Sequence, residues 1–233
     1  MSGFGVGSVL GTAWRVWRRN LLPFAVISIG LYVPALLLRM QLGDEAALLN
    51  TYLGSVVINT LIAAALTYGV VLELDGARPS FRDCVLRGLR QLPRALGASV
   101  LSMLLIGVGF VLLFVPGLIG MLTLYVVVPV AIIERLPAMD VMRRSRDLTR
   151  GYKSDIFLIL LLVGLASAGV AYAVKHGVSP AAFPYLSTVL EALLASFSSV
   201  LAAVAYTLLR HEQDGTTVPE IATAFARFTP PRS

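Results

Sequence analysis

Residues that carry catalysis and metal binding are scarce in this sequence. It has one cysteine, Cys84, and two histidines, His176 and His211. One cysteine excludes an internal disulfide and a metal site built from cysteines. The two histidines flank the apolar run 186–209, so they belong to opposite membrane surfaces and cannot share a metal. The motifs H-E-x-x-H, G-x-S-x-G, C-x-x-C and the P-loop are missing too. We therefore expect no cofactor, no metal and no enzymatic activity.

Charge is also scarce. Charged residues make up 14% of the chain and hydrophobic residues 57%, whereas about 25% of a soluble domain is charged. This composition indicates lipid as the solvent of most of the chain. The net charge of +6 fits either nucleic acid or an anionic membrane, and the positions of the charges must decide between them.

Long apolar runs are abundant. A run of about 20 residues crosses a hydrocarbon layer about 30 Å thick. Six runs qualify, and the first is long and lacks a signal-peptide cleavage site, so we expect an uncleaved span. The predicted spans are 21–38, 51–72, 95–115, 118–133, 156–174 and 186–209. The predicted fold class is an all-α integral membrane bundle of six transmembrane helices.

Prolines mark irregular points in the predicted spans. Pro116 and Gly117 separate the third and fourth spans and predict a tight hairpin at the membrane surface. Pro129 lies inside the fourth span and should kink it, which a bilayer tolerates when neighbouring helices cover the freed carbonyl.

Basic residues fall on one side of these spans. Of the 19 lysines and arginines, only Arg39 and Lys175 lie on the side opposite the termini. This asymmetry follows the positive-inside rule and predicts that both termini are cytoplasmic. The basic charge therefore favours a membrane partner, and we expect no nucleic acid.

Three amphipathic segments on this basic side repeat one design. Each of 6–19, 80–93 and 137–150 has apolar residues at helical spacing, contains Arg-x-x-Arg and precedes a pair of spans. We predict helices that lie in the cytoplasmic interface, with Val9, Ala13 and Trp17 of the first facing lipid. Together with the spans they form one membrane domain, 1–211, followed by a polar tail, 212–233.

The arginines of these helices have two interpretations. They either fix the topology and solubilise the inner face, or they bind anionic lipid, since four to eight basic residues beside a membrane are a lipid-binding signature. The candidate lipid or partner contacts are Arg15, Arg18, Arg19, Arg87, Arg90, Arg143, Arg144, Arg146 and Arg150.

Four stretches resemble a bacterial membrane-protein family: "LDGARPSF", "FVPGLIG", "VPVAIIE" and "MRRSRDLTRGYKSDIF". The sequence is similar to YciC-type proteins and to the membrane domain named after glycerophosphoryl diester phosphodiesterases. The matching positions are Gly76, Pro79, Pro116, Gly117, Pro129, Glu134, Arg144, Ser145, Leu148, Thr149 and Gly151. The resemblance covers about 72–158 and implies a multi-spanning protein of the bacterial inner membrane. It transfers no reaction, because nothing here corresponds to the catalytic domain.

A few polar residues remain within or beside the spans. Glu134 ends the fourth span, and we expect it to anchor the following helix by binding Arg135, Arg143 or Arg144. Asn59 favours a hydrogen bond between helices. Glu191 lies about one turn inside the last span, where a charge is expensive. It is either protonated or snorkelling outward, paired with Arg39 or Lys175, or part of a proton or substrate site.

Two functions are consistent with these features. The first is a non-enzymatic membrane protein that binds anionic lipid or a protein partner through its basic face. The second is a small transporter or exporter component with a polar site near Glu191. A polar cavity that reaches Glu191 or Asn59 would favour the second, and a dry core the first. Small residues in the last two spans permit close packing within the bundle, around a cavity or in a homo-oligomer.

Overall fold

The computed structural model describes residues 3–41, 44–76, 81–179 and 182–221, with side chains over 3–37, 54–76, 82–179 and 182–221. Nearly all of this part of the chain is helical, which confirms the predicted all-α membrane bundle. Its helices are α1 (Val6–Arg19), α2 (Leu21–Gln41), α3 (Asp44–Leu74), α4 (Phe81–Leu112), α5 (Phe114–Thr123), α6 (Val127–Ile133), α7 (Ala138–Leu148), α8 (Lys153–Gly177) and α9 (Phe183–Asp214). Three sequence predictions lie outside the described residues or side chains: those for Arg39, for Pro79 and for 222–233 of the polar tail.

Five stretches are long and apolar enough to cross a bilayer. They lie in α3, α4, α5 together with α6, α8 and α9. A sixth is counted if α1 and α2, which meet at 84°, form one broken span. The bend falls at Asn20, where the backbone amide and the side-chain amide both donate to the carbonyl of Val16 and end α1. An angle this large fits a surface helix followed by a span.

Helix α4 differs from the sequence prediction. A surface helix over 80–93 and a separate span over 95–115 were expected. Instead one helix runs from Phe81 to Leu112. Its buried positions Cys84, Gly88, Ala95 and Ala98 form one stripe at helical spacing, so both halves pack on the same side, and the helix continues through Pro93. Gly88 fits because a Cβ there would lie 2.9 Å from the backbone nitrogen of Ala65.

The predicted hairpin between the third and fourth spans is present, but its turn lies before Pro116. Leu113 is extended and separates α4 from α5. Pro116 lies in the first turn of α5, where a missing amide costs no helical hydrogen bond. Gly117 packs against α4 so closely that a Cβ on Gly109 would lie 2.9 Å from it.

The fourth span is broken one turn before Pro129. Helix α5 ends at Thr123 and α6 begins at Val127, with Pro129 in its first turn. Proline has no amide to donate to the carbonyl four residues earlier, and its ring crowds that carbonyl. The amide of Val127 bonds to the carbonyl of Leu124, which leaves the carbonyl of Thr123 without its usual helical partner.

The apolar face of α1 packs on the protein and does not face lipid as predicted. Val9, Ala13 and Val16 are fully or almost fully buried in the common core. Trp17 donates from Nε1 to the Ser196 hydroxyl at 3.1 Å. Apolar residues at helical spacing indicate a helix with one apolar face, but this pattern does not show whether lipid or protein covers that face.

The basic segments meet at one end of the bundle. The amide of Phe4 donates to Glu212 at 3.1 Å, and Gln213 donates to the carbonyl of Arg150 at 3.0 Å. These contacts gather the start of α1, the loop before α8 and the end of α9. Helix α9 continues into the predicted tail as far as Asp214. Gly215 caps its end with a left-handed φ of 66°.

Candidate functional site

Glu134 anchors three elements at the end of α6. Arg144 of α7 donates from Nε to both carboxylate oxygens, at 3.1 and 3.0 Å. The Tyr206 hydroxyl of α9 donates to the same carboxylate at 2.9 Å. The anchoring role predicted for Glu134 therefore has a specific geometry, and Arg144 is the partner among the three arginines considered.

A second carboxylate completes this network. Arg144 also binds Asp214 at the end of α9, and Arg210 lies 3.7 Å from the same carboxylate. Arg210 donates to the Tyr206 hydroxyl at 2.8 Å. We call these five residues, Glu134, Arg144, Tyr206, Arg210 and Asp214, the clasp. It closes a ring of hydrogen bonds and ion pairs that joins α6, α7 and α9.

Burial by itself would lower the pKa of Arg144, but the hydrogen bond to Asp214 and the negative charge of Glu134 outweigh burial and raise it. Its guanidinium therefore stays charged inside the clasp. Three quarters of this side chain is shielded from solvent, so it is a poor contact for a lipid headgroup.

Two hydroxyls of α7 satisfy the carbonyl of Thr123, which the break between α5 and α6 leaves free. Ser145 and Thr149 donate to the carbonyl of Thr123 at 2.9 and 3.3 Å. Both side chains are fully buried. Inside a bilayer an unpaired carbonyl is costly, so these contacts bind α7 to the broken span.

The structure separates the predicted arginines into three groups. Arg144 belongs to the clasp. Arg19 lies 3.4 Å from Glu73, and Arg87 lies over the Tyr68 ring at 4.4 Å from its centroid. The remaining candidates are exposed: Arg15, Arg18, Arg90, Arg143, Arg146 and Arg150.

A groove of about 590 Å³ runs from the hairpin of α4 and α5 to α7. Its walls are apolar and include Val108, Leu112, Ile119 and Met142. Three cations, Arg143, Arg146 and Lys153, line its other end. Arg143 lies 3.7 Å from Asp140, and its side chain is 77% exposed. Within the described residues Arg146 and Lys153 form no ion pair. We call this feature the basic groove.

A cavity of about 730 Å³ lies among α2, α3, α4, α6, α8 and α9. It reaches both intramembrane residues singled out in the sequence, Asn59 and Glu191. The Tyr32 hydroxyl donates to Asn59 Oδ1 at 2.8 Å, so Asn59 does join two helices as predicted. Both Asn59 and Glu191 are exposed, so the cavity is open. We call it the polar cavity after these two residues, although most of its lining is apolar.

The polar cavity is closed towards the clasp. Ala202 is the last residue of α9 that lines it, and Tyr206, one helical turn further, is fully buried and bonded to Glu134. Among the described side chains Glu191 forms no ion pair, so the proposed pairing with Lys175 is not observed. Arg39 lies outside those side chains.

Histidine, cysteine and carboxylate side chains do not assemble into a metal-binding group of three anywhere in the described ranges. The fold and the two pockets define a helical membrane bundle with a basic groove and a separate polar cavity. No protein-family model matches this chain, and neither a curated protein nor a solved structure is similar to it.

The clasp predicts a specific loss of stability. Arg144→Gln leaves the half-buried carboxylate of Glu134 and the carboxylate of Asp214 without their charged donor, which costs about 1–3 kcal/mol of unfolding free energy. Arg143→Gln, one residue away on the exposed side of α7, should change it by less than about 0.5 kcal/mol. Unfolding of the purified protein in mixed micelles with increasing denaturing detergent measures both.

A double-mutant cycle that combines Arg144→Gln with Glu134→Gln measures the interaction between these two side chains. We expect a coupling free energy of about 0.5–3 kcal/mol. Equal stability of the Arg144 and Arg143 variants would contradict a structural role for the clasp.

Proposed function

We propose that this protein is a non-enzymatic, multi-spanning membrane protein that binds anionic lipid at the basic groove. The observation that carries this function is the joining of apolar walls and three cations in one groove. A phospholipid has the complementary form, with acyl chains beside a phosphate. Basic pockets between transmembrane helices on the cytoplasmic side are known to bind such headgroups.

The location of the cations supports lipid over a structural explanation. An arginine that only fixes topology needs a water-facing position and no neighbouring groove. Arg143 and Arg146 flank the apolar walls, and Lys153 begins the next span. A headgroup held by these three would leave its acyl chains beside Val108 and Leu112, which are both exposed.

The cellular setting is part of the proposal. The similarity to YciC-type proteins favours the bacterial inner membrane. The basic segments meet at one end of the bundle, which supports a cytoplasmic location for that end and for both termini. The basic groove would then face the inner leaflet.

Topology can be measured with reporter fusions. Green fluorescent protein fused after residue 152 should fluoresce, and alkaline phosphatase at the same point should be inactive, because this connection is predicted to be cytoplasmic. Fusions after residue 178, at the end of α8, should give the reverse pattern. Active phosphatase after residue 152 would overturn the orientation.

Lipid binding is tested by native mass spectrometry of protein extracted with phosphatidylglycerol. Each basic residue contributes about 1 kcal/mol at an anionic surface, so replacing Arg143, Arg146 and Lys153 together by Gln should weaken phosphatidylglycerol binding roughly 100-fold. Binding of phosphatidylcholine should be affected much less.

The matched control replaces three exposed arginines of the same end, Arg15, Arg18 and Arg90, by Gln. It removes equal charge without touching the groove, so phosphatidylglycerol binding should be nearly unchanged. Equal loss in both variants would show that only the general charge of the surface matters, and the groove would not be a site.

A second function is favoured by the polar cavity. Its contact with Glu191 and Asn59 is the feature that a transporter or exporter component requires. The cavity is closed at the clasp, however, so the described conformation offers no continuous pathway. For this reason we place small-molecule transport second.

Water access distinguishes this second function from a lipid-filled cleft. In a Cys84→Ala background, Ser198→Cys should react with a membrane-impermeant thiol reagent in reconstituted vesicles, because Ser198 is exposed and lines the cavity. Ala205→Cys on the same helix is fully buried and should not react. Failure of Ser198→Cys to react would remove the aqueous cavity.

A further inference from the structure

We infer that the polar cavity is a binding site for a lipophilic monovalent cation, such as a protonated amine or a quaternary ion, with Glu191 as its counterion. The inference rests on the second candidate function, whose ligand class it names. It does not depend on lipid binding at the basic groove.

Charge is the first argument. Among the described residues that line the cavity, Glu191 is the one carrying a formal charge, and lysine, arginine and histidine are absent from the lining. Glu191 also lies near enough to Tyr32 to interact with it electrostatically. A carboxylate attracts a positively charged ligand and repels an anion, and this selectivity is stronger in a cleft than in bulk water.

The walls supply the second argument. Leu194, Val128 and Met103 offer apolar contact, and two tyrosines, Tyr32 and Tyr125, also line the cavity. Aromatic rings attract cations through their electron-rich faces, most strongly when water is excluded. This combination of one carboxylate, aromatic rings and aliphatic walls suits an apolar cation better than a small hydrated metal ion, which prefers several oxygen ligands.

Two unused hydroxyls form the third argument. The hydroxyl oxygens of Ser99 and Tyr125 are buried and have no hydrogen-bond partner within the described part of the chain. Buried polar atoms are nearly always paired in folded proteins, and exceptions call for an explanation. Both residues line the cavity, and rotation of either side chain would bring its hydroxyl to a bound ligand.

Size agrees with this class of ligand. Pockets for small organic molecules usually enclose about 300–1,000 Å³, and the cavity encloses about 730 Å³. That volume accepts an ion with several apolar substituents.

The test uses two probes of nearly equal size and opposite charge, tetraphenylphosphonium and tetraphenylborate. Equilibrium dialysis measures their saturable binding to the full-length protein in detergent micelles. We expect tetraphenylphosphonium to bind and Glu191→Gln to weaken it by roughly tenfold or more. Glu191→Asp should retain part of the affinity. Bound tetraphenylphosphonium should also slow thiol labelling of Ser198→Cys.

Glu212→Gln is the matched control, because it makes the same substitution at the other end of α9, away from the cavity. Its affinity for the cation should equal that of the wild type. Thermal unfolding of each variant confirms that it is folded. If Glu191→Gln lowers stability, the test is instead whether tetraphenylphosphonium slows the thiol labelling of the Ser198→Cys protein.

Three results would overturn the inference: no saturable cation binding, equal cation affinity with and without the Glu191 carboxylate, or tighter saturable binding of the borate anion. Each leaves the labelling of Ser198→Cys unaffected. A reactive Ser198→Cys without cation binding would mean that the aqueous cavity exists and takes another ligand, whereas an unreactive Ser198→Cys would remove the second function itself.

Discussion

The break between α5 and α6 is the constraint on which much of this structure depends. The amide of Val127 bonds to Leu124, so the buried residue Thr123 keeps a backbone carbonyl without its helical partner. Ser145 and Thr149 supply the missing donors. Because both hydroxyls must reach one oxygen, α7 has to dock at a fixed height and with a fixed rotation about its own axis. A break inside one span thus determines how a different helix is placed.

The fixed rotation of α7 also sorts its arginines. Successive residues of a helix point about 100° apart, so turning Ser145 inward directs Arg144 towards Glu134 and Asp214 and leaves Arg143 and Arg146 outside. A buried guanidinium is tolerated only with partners, and the clasp provides them. The same docking therefore creates both the clasp and the cationic end of the basic groove, although one is a structural contact and the other is an exposed surface.

Hydropathy and charge were enough to predict the all-α bundle, the approximate spans and the polar candidates Asn59 and Glu191, because burial of polar groups in lipid leaves a strong pattern. The interior role of Arg144 was missed, although its spacing of three from Val141 and four from Leu148 places it on the buried face of α7. The charge of Arg144 favoured the exposed face of the helix, whereas its position in the helix indicates the buried face. The continuity of α4 and the position of Tyr125 in the cavity wall were missed because they depend on packing between helices distant in sequence.

The two pockets are related through Tyr206. Its side chain lies one turn below the polar cavity and is fully buried, and its hydroxyl bonds to Glu134 and accepts from Arg210. A pathway from the cavity to the basic end must displace this ring, and that movement breaks a contact that holds α6 and α9 to α7. Opening the cavity therefore loosens the helix that carries Arg143 and Arg146. A bundle built in this way cannot form a continuous path without also disturbing the basic groove, because both depend on the carboxylate of Glu134.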